Sequence, residues 1–149
     1  MKLKREPVLR AEYRALLRQA DGSQIEALFY CFDDSMASLD EPCRLIVKFN
    51  GEELKGTDRD FFAALDKVRL QLEARGILPL VNGANKTSYP SSMARDMGSG
   101  LSVYRLQLGK PMGDLEDLVQ TFEANIIDQV SSVADQRSFV EQWHKSFAK

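Results

Sequence analysis

The 149-residue chain has few of the residues that make covalent or metal-braced folds: two cysteines, Cys31 and Cys43, and a lone histidine, His144. Two thiols cannot form a disulfide framework, and one histidine leaves no ligand set for structural zinc, so reduced, structural cysteines and no metal are expected. No run approaches the ~20 apolar residues that cross a bilayer. The basic start, MKLKREP, runs into Arg10, Glu12, Arg14 and Arg18 rather than an apolar signal core, so a cytoplasmic location without membrane contact is expected. Charge of one sign is also missing. With 20 basic against 22 acidic residues and a net of −2, the chain is no generally basic nucleic-acid binder, and nucleic acid is not an expected partner. Internal repeats, low-complexity tracts and linkers are absent, so residues 1–149 are read as one domain.

What the chain does have is 44% hydrophobic residues, enough for a core, in patterns that alternate between strand and helix spacing. Residues 11–18 and 24–32 flank Ala20-Asp21-Gly22-Ser23 as the arms of a hairpin, the first arm also fitting a helical stripe. Asp33 to Pro42 is polar, acidic and closed by proline, hence a surface loop. Arg44 to Asn50 ends at Asn50-Gly51, a strong hairpin signal, with a returning strand expected near Glu53 to Lys55. Phe61, Phe62, Leu65, Val68 and Leu72 recur at helical spacing between Thr57 and Arg75. Ile77 to Val81 reads as a short strand that Pro79 confines to an edge or a bulge. Ser102 to Leu108 reads as a further strand of the same sheet, and Asp114 as the cap of a short helix carrying Leu115, Leu118, Val119 and Phe122. A terminal helix spans about 133–147, with Phe139, Val140, Trp143 and Phe147 on one face. The fold class is α+β: an antiparallel meander of five to six strands covered by a central helix at about 58–75 and by the C-terminal helix.

Catalytic chemistry finds little support. His144 sits beside Trp143, far along the chain from Ser91, Ser92 and both cysteines, so no nucleophile–base pair is in prospect. Met97-Gly98-Ser99-Gly100 lacks the third glycine and the strand-to-helix setting of a dinucleotide fingerprint, and no phosphate-loop Gly-Lys-Ser/Thr occurs. The expectation is a protein that is not an enzyme and carries no cofactor. Charge is unevenly spread instead, with nets of +4, −7, +5 and −4 over residues 1–20, 21–66, 67–110 and 111–149. That allows an acidic and a basic pole.

Two stretches are candidates for binding. Asp33, Asp34, Asp40 and Glu41 form either a solvated loop or an electrostatic probe for a basic cleft on a partner. The stretch at 82–100, NGANKTSYPSSMARDMGSG, is long for a connection inside a domain. If Pro90 opens a short helix through Met97, then Lys86, Ser88, Arg95 and Arg105 are candidate anion ligands near its N-terminus. The alternative there is structural, with Asn85, Ser88 and Ser91 bracing the connection and Met93 and Met97 plugging the core.

The run Phe61 to Leu65, Arg69 to Glu73, Asn82-Gly83-Ala84, Tyr89 to Met93 and Met97 to Gly100 resembles a family of small bacterial proteins, over about residues 11–147. These are similar to the immunity proteins paired with bacterial polymorphic toxins. The resemblance implies a protein that binds a cognate toxin and blocks its active site; it carries over no catalytic residue. The competing reading is a nucleotide- or nucleic-acid-binding protein that uses the basic 82–105 region, and a third is a subunit that associates with itself.

Overall fold

The computed structural model describes residues 6–124 and 129–147; the basic start up to Arg5 lies outside them. Strands β1 (Val8–Arg18), β2 (Gln24–Asp33), β3 (Cys43–Phe49) and β4 (Glu52–Asp58) form an antiparallel meander. Helix α1 (Phe61–Glu73) packs over it, and β5 (Leu78–Pro79) returns to the far side of β1, giving the order β4-β3-β2-β1-β5. The first arm is therefore a strand. Its helical stripe is overridden by pairing with β2 along nearly its whole length, from Val8 opposite Asp33 to Arg18 opposite Gln24. Asn50 (φ 48°) and Gly51 (φ 75°) both take the left-handed conformation that a tight two-residue hairpin demands.

Alternation decides which face is core. Ala27, Phe29 and Cys31 of β2 and Cys43, Leu45 and Val47 of β3 are buried under α1, whose Phe61, Ala64, Leu65, Val68 and Leu72 complete the cluster. Leu28, Tyr30, Phe32 and Ile46 lie half-buried on the opposite face, which no element covers among the described residues. At one edge of the sheet, β4 carries exposed Glu52, Glu53 and Lys55, charges that discourage edge-to-edge pairing.

The later elements depart from the sequence expectation in four places. Helix α1 starts at Phe61 rather than near Asp58, because Thr57 and Asp58 still pair with β3 opposite Arg44 and Cys43. Asp60 is the cap, its Oδ1 accepting from the Ala63 amide at 2.8 Å. Ser102–Arg105 (β7) does not join the main sheet but sits in a separate one with β6 (Ser88–Tyr89) and β8 (Leu118–Gln120). The helix expected after Asp114 is a single 3-10 turn at Leu115–Asp117 that passes straight into β8, and Phe122 beyond it plugs the main core against Tyr13 and Phe29. Helix α2 (Ser92–Gly98) starts two residues after Pro90, with the Ser91 hydroxyl accepting from the Ala94 amide at 3.0 Å.

Helix α3 (Val133–Phe147) matches the expected terminal helix and makes a second apolar cluster of Leu106, Val140 and Trp143. The Trp143 indole donates to the Lys110 carbonyl at 2.8 Å. The two clusters are joined by a buried polar pin. Arg69 of α1, with no exposed surface, donates to Asp66, to Gln136 of α3 and to the Ser131 carbonyl at 2.8 Å. The Gln136 amide in turn donates to the carbonyls of Gly83, Asn85 and Ser88 at 3.0, 2.9 and 2.6 Å. No helix among the described residues is long and apolar enough to cross a membrane.

Cys31 and Cys43 are unbonded, buried thiols on adjacent strands. Burial pushes Cys31 up to about 12 and Cys43 up to about 11, so neither forms thiolate at neutral pH. Ellman's reagent at pH 8 is expected to find no reactive thiol in the native protein and both after denaturation.

Candidate binding surface

The four loop carboxylates have different fates. Asp33, at the end of β2, accepts from the Ser35 amide at 2.9 Å and turns the loop, a bond to Ser35 that holds its carboxyl below the usual range. Asp34 is buried and paired with Arg44 at 3.0 Å. Glu41 accepts from Lys67 Nζ and from the Thr57 hydroxyl, each at 3.0 Å, and the lysine bond lowers its pKa. Asp40 is exposed and makes no ion pair among the described residues. The loop is thus stitched to β3, β4 and α1 by two of its acids, while Asp33 and Asp40 keep their charge at the surface.

The residues expected to hold an anion are not gathered into one cavity. Lys86 lines a cavity with Gln129, Ser131 and Phe139 beside α3, whereas Arg95 lines another, beside α1. Ser88 lies opposite Arg105 across the β6–β7 pair, with its hydroxyl buried and unpartnered among the described residues. Since α2 begins only at Ser92, Lys86 and Ser88 precede its first turn instead of facing it. The structural alternative is also corrected in part. Ser91 does cap α2, but Met93 and Met97 do not plug the core, being 69% and 79% exposed on a helix with no buried residue.

Arg95 points the other way, toward α1. Its guanidinium lies 5.2 Å from the ring centre of Phe62 and 5.3 Å from that of Tyr89, and its Nε is 3.6 Å from the buried Asp60 Oδ2. It opens into a groove of about 650 Å³ along α1, where Arg59, Lys67 and Arg137 share the lining with Asp58 and Asp66. Lys67 is bound to Asp58 at 3.2 Å, and Asp66 is held by Arg69 at 3.2 Å and by Arg137 at 3.9 Å. Burial pushes the Asp66 carboxyl up, against the pull of these two guanidiniums.

A feature without a clear signature in the sequence is where the exposed apolar side chains lie. Twelve large ones are exposed among the described residues, and six of them belong to segments that adjoin at one end of the main sheet: Val8 and Leu9 at the start of β1, Met36 and Leu39 in the loop between β2 and β3, and Met93 and Met97 on α2. That end is defined by the pairing of Val8 with Asp33 and of Cys43 with Asp58, and by the Phe61 amide donating to the Ser99 carbonyl at 2.7 Å. The Arg10 guanidinium also donates there to the Ser99 hydroxyl at 2.8 Å, tying the start of β1 to the end of α2. Val8, Leu9, Met36 and Leu39 are scattered along the chain between polar residues; only the meander brings them together, around Asp33 and Asp40. Among the described residues no cluster of His, Cys, Asp and Glu could hold a metal ion, and His144 is exposed, its ring tilted against those of Trp143 and Phe147. Neither a protein-family model nor a curated protein matches the chain.

Proposed function

We propose that the chain is a binding protein of the immunity type, which seats its loop end on a cognate toxin and covers the toxin's active site. The observation that carries this reading is that the start of β1, the β2–β3 loop and α2, which adjoin at one end of the main sheet, each carry two exposed apolar side chains beside the half-buried Asp33 and the exposed Asp40. Exposed apolar surface concentrated at one place and rimmed by polar groups is characteristic of protein–protein contact surfaces. Methionine suits such a surface because its unbranched thioether adapts to a partner's contour. The carboxylates add charge complementarity toward a basic active site, which speeds encounter and fixes orientation.

The test is co-expression with a toxin domain encoded beside the gene. Protection of the cells and a complex that survives purification are the expected results. Leu39→Asp and Met97→Asp should each weaken that complex by about 2 kcal/mol, roughly thirtyfold, while leaving the melting temperature of the free protein unchanged, since neither side chain is buried. A chain that neither protects nor binds the adjacent toxin removes this reading. The nucleotide reading would take over only if a nucleotide raised the melting temperature of the wild type and Lys86→Ala abolished the rise.

A further inference from the structure

The groove along α1 has properties that the loop end does not share. Arg95 is held between rings: its guanidinium lies 5.2 Å from the centre of Phe62 and 5.3 Å from that of Tyr89, Asp60 faces Nε, and its side chain is only 20% exposed, yet the buried Nε has no hydrogen-bond partner among the described residues. Its remaining donors belong to a guanidinium whose rotamer freedom is already spent, the state in which a bidentate carboxylate gains most from the fork. At the rim, Arg59 and Arg137 have 73% and 67% exposed side chains, held only loosely at 4.0 Å from Asp60 and 3.9 Å from Asp66. The two lining carboxylates are satisfied from within, Asp58 by Lys67 and Asp66 by buried Arg69. The groove therefore offers three guanidiniums to an incoming anion.

We infer that this groove receives an acidic segment of the partner protein, with Arg95 taking one of its carboxylates and Arg59 and Arg137 steering the rest. A volume of about 650 Å³ far exceeds a lone oxyanion. A nucleotide would fit by size, but Tyr89 is the one aromatic residue in the lining and already carries the Arg95 guanidinium 5.3 Å from its ring centre, which gives a base little to stack on. Continuity with the loop end favours a protein occupant, because Arg95 and Met97 are carried by one helix and Arg59 directly precedes Asp60, the cap of α1. The inference rests on the partner-binding reading above and adds to it the chemistry of a second contact: a toxin that presents acidic as well as basic surface.

The probe is a short oligoglutamate peptide, titrated at low salt into the isotope-labelled protein and followed by NMR, with oligoglutamine, inorganic phosphate and ADP as comparison ligands. Saturable shifts centred on Arg95, Tyr89 and Arg137, absent with oligoglutamine and reversed by salt, are expected. Arg95→Gln should weaken peptide binding about tenfold and Arg95→Lys less, because lysine keeps the charge but not the fork. Should Arg95→Gln disturb the packing of Phe62, the exposed Arg137→Glu carries the same test, with about tenfold weaker binding expected and no loss of fold. No saturable binding, binding indifferent to both substitutions, or tighter binding of phosphate or ADP at the same resonances would overturn the inference. The outcome is separable from that of co-expression. A toxin complex indifferent to Arg95 leaves the immunity reading standing and removes the acidic segment, whereas peptide binding without any toxin complex does the reverse.

Discussion

Replacing Arg69 with alanine is expected to cost about 4 kcal/mol and to lower the melting temperature by roughly 10–15 °C, the largest loss of any single side chain. The guanidinium is fully buried and anchors Asp66, Gln136 and the Ser131 carbonyl, so its removal leaves the buried Gln136 side-chain oxygen without its donor and takes from Asp66 the nearer of its two guanidiniums. Burial already raises the pKa of Asp66, and without the Arg69 guanidinium that opposes this it would rise further. Gln136→Leu alone should also destabilise, because three carbonyls lose their donor. Arg69→Met with Gln136→Leu should cost less than Arg69→Met and Gln136→Leu added together, since each single change already breaks the one hydrogen bond that the two residues share. Urea unfolding of the four proteins measures this directly. Strict additivity would mean that the two residues are not coupled and that the pin is an accident of packing.

Gly56→Ala is the second large effect. Gly56 lies where α1 crosses β4, and a Cβ built there would sit 2.5 Å from the Ala64 carbonyl oxygen and 3.2 Å from both Lys67 Cβ and Val68 Cγ2. The contact is with helix backbone, which cannot swing aside as a side chain would, so helix and strand must separate at a cost of about 3 kcal/mol. The separation also reaches the groove. Lys67 draws together Asp58, Glu41 and the Thr57 carbonyl across this same crossing, so a displaced helix loosens the loop and shifts the wall that carries Arg59. Gly98→Ala is the control, because nothing lies within 4 Å of a Cβ there, and it should be neutral in denaturant. A Gly56→Ala protein of wild-type stability would show that α1 sits farther from the sheet than described.

The main sheet, α1 and α3 could be read from the chain because each is governed by a local rule: Asn50-Gly51 for its hairpin, period-two alternation in β2, a helical stripe from Phe61 to Leu72. Ser102–Arg105 is the strand its alternation predicts, but which sheet it joins and the shape of residues 115–122 lie where local rules run out. Leu115, Leu118, Val119 and Phe122 satisfy helical spacing, yet Val103 and Tyr104 offer a strand to pair with, and that tertiary contact outweighs intrinsic preference. Arg95 was singled out in the sequence as an anion ligand, but its aromatic clamp was not legible, since Phe62 and Tyr89 lie on different elements. Nor did the pattern flag Arg69: an arginine on the apolar stripe of a helix gives no sign that Gln136, far downstream, will meet it. The six exposed apolar residues were hidden for the opposite reason. Singly they are ordinary surface residues, and only the topology brings the segments that carry them together.

The pin between Arg69 and Gln136 also orders events during synthesis. The meander and α1 use short connections, so they can form as soon as about the first half of the chain has left the ribosome. Until residue 136 follows, the arginine at the heart of the finished protein has Asp66 as its only side-chain hydrogen-bond partner, and the cavity meant for α3 stands open to water. Without α3 the guanidinium of Arg69 would lose Gln136, and Leu106 would lose Val140 and Trp143, so the interior between them would be wet and charged. Helix α3 is thus the wall that closes this interior, and the Gln136 side chain it carries is what makes the closure polar rather than greasy.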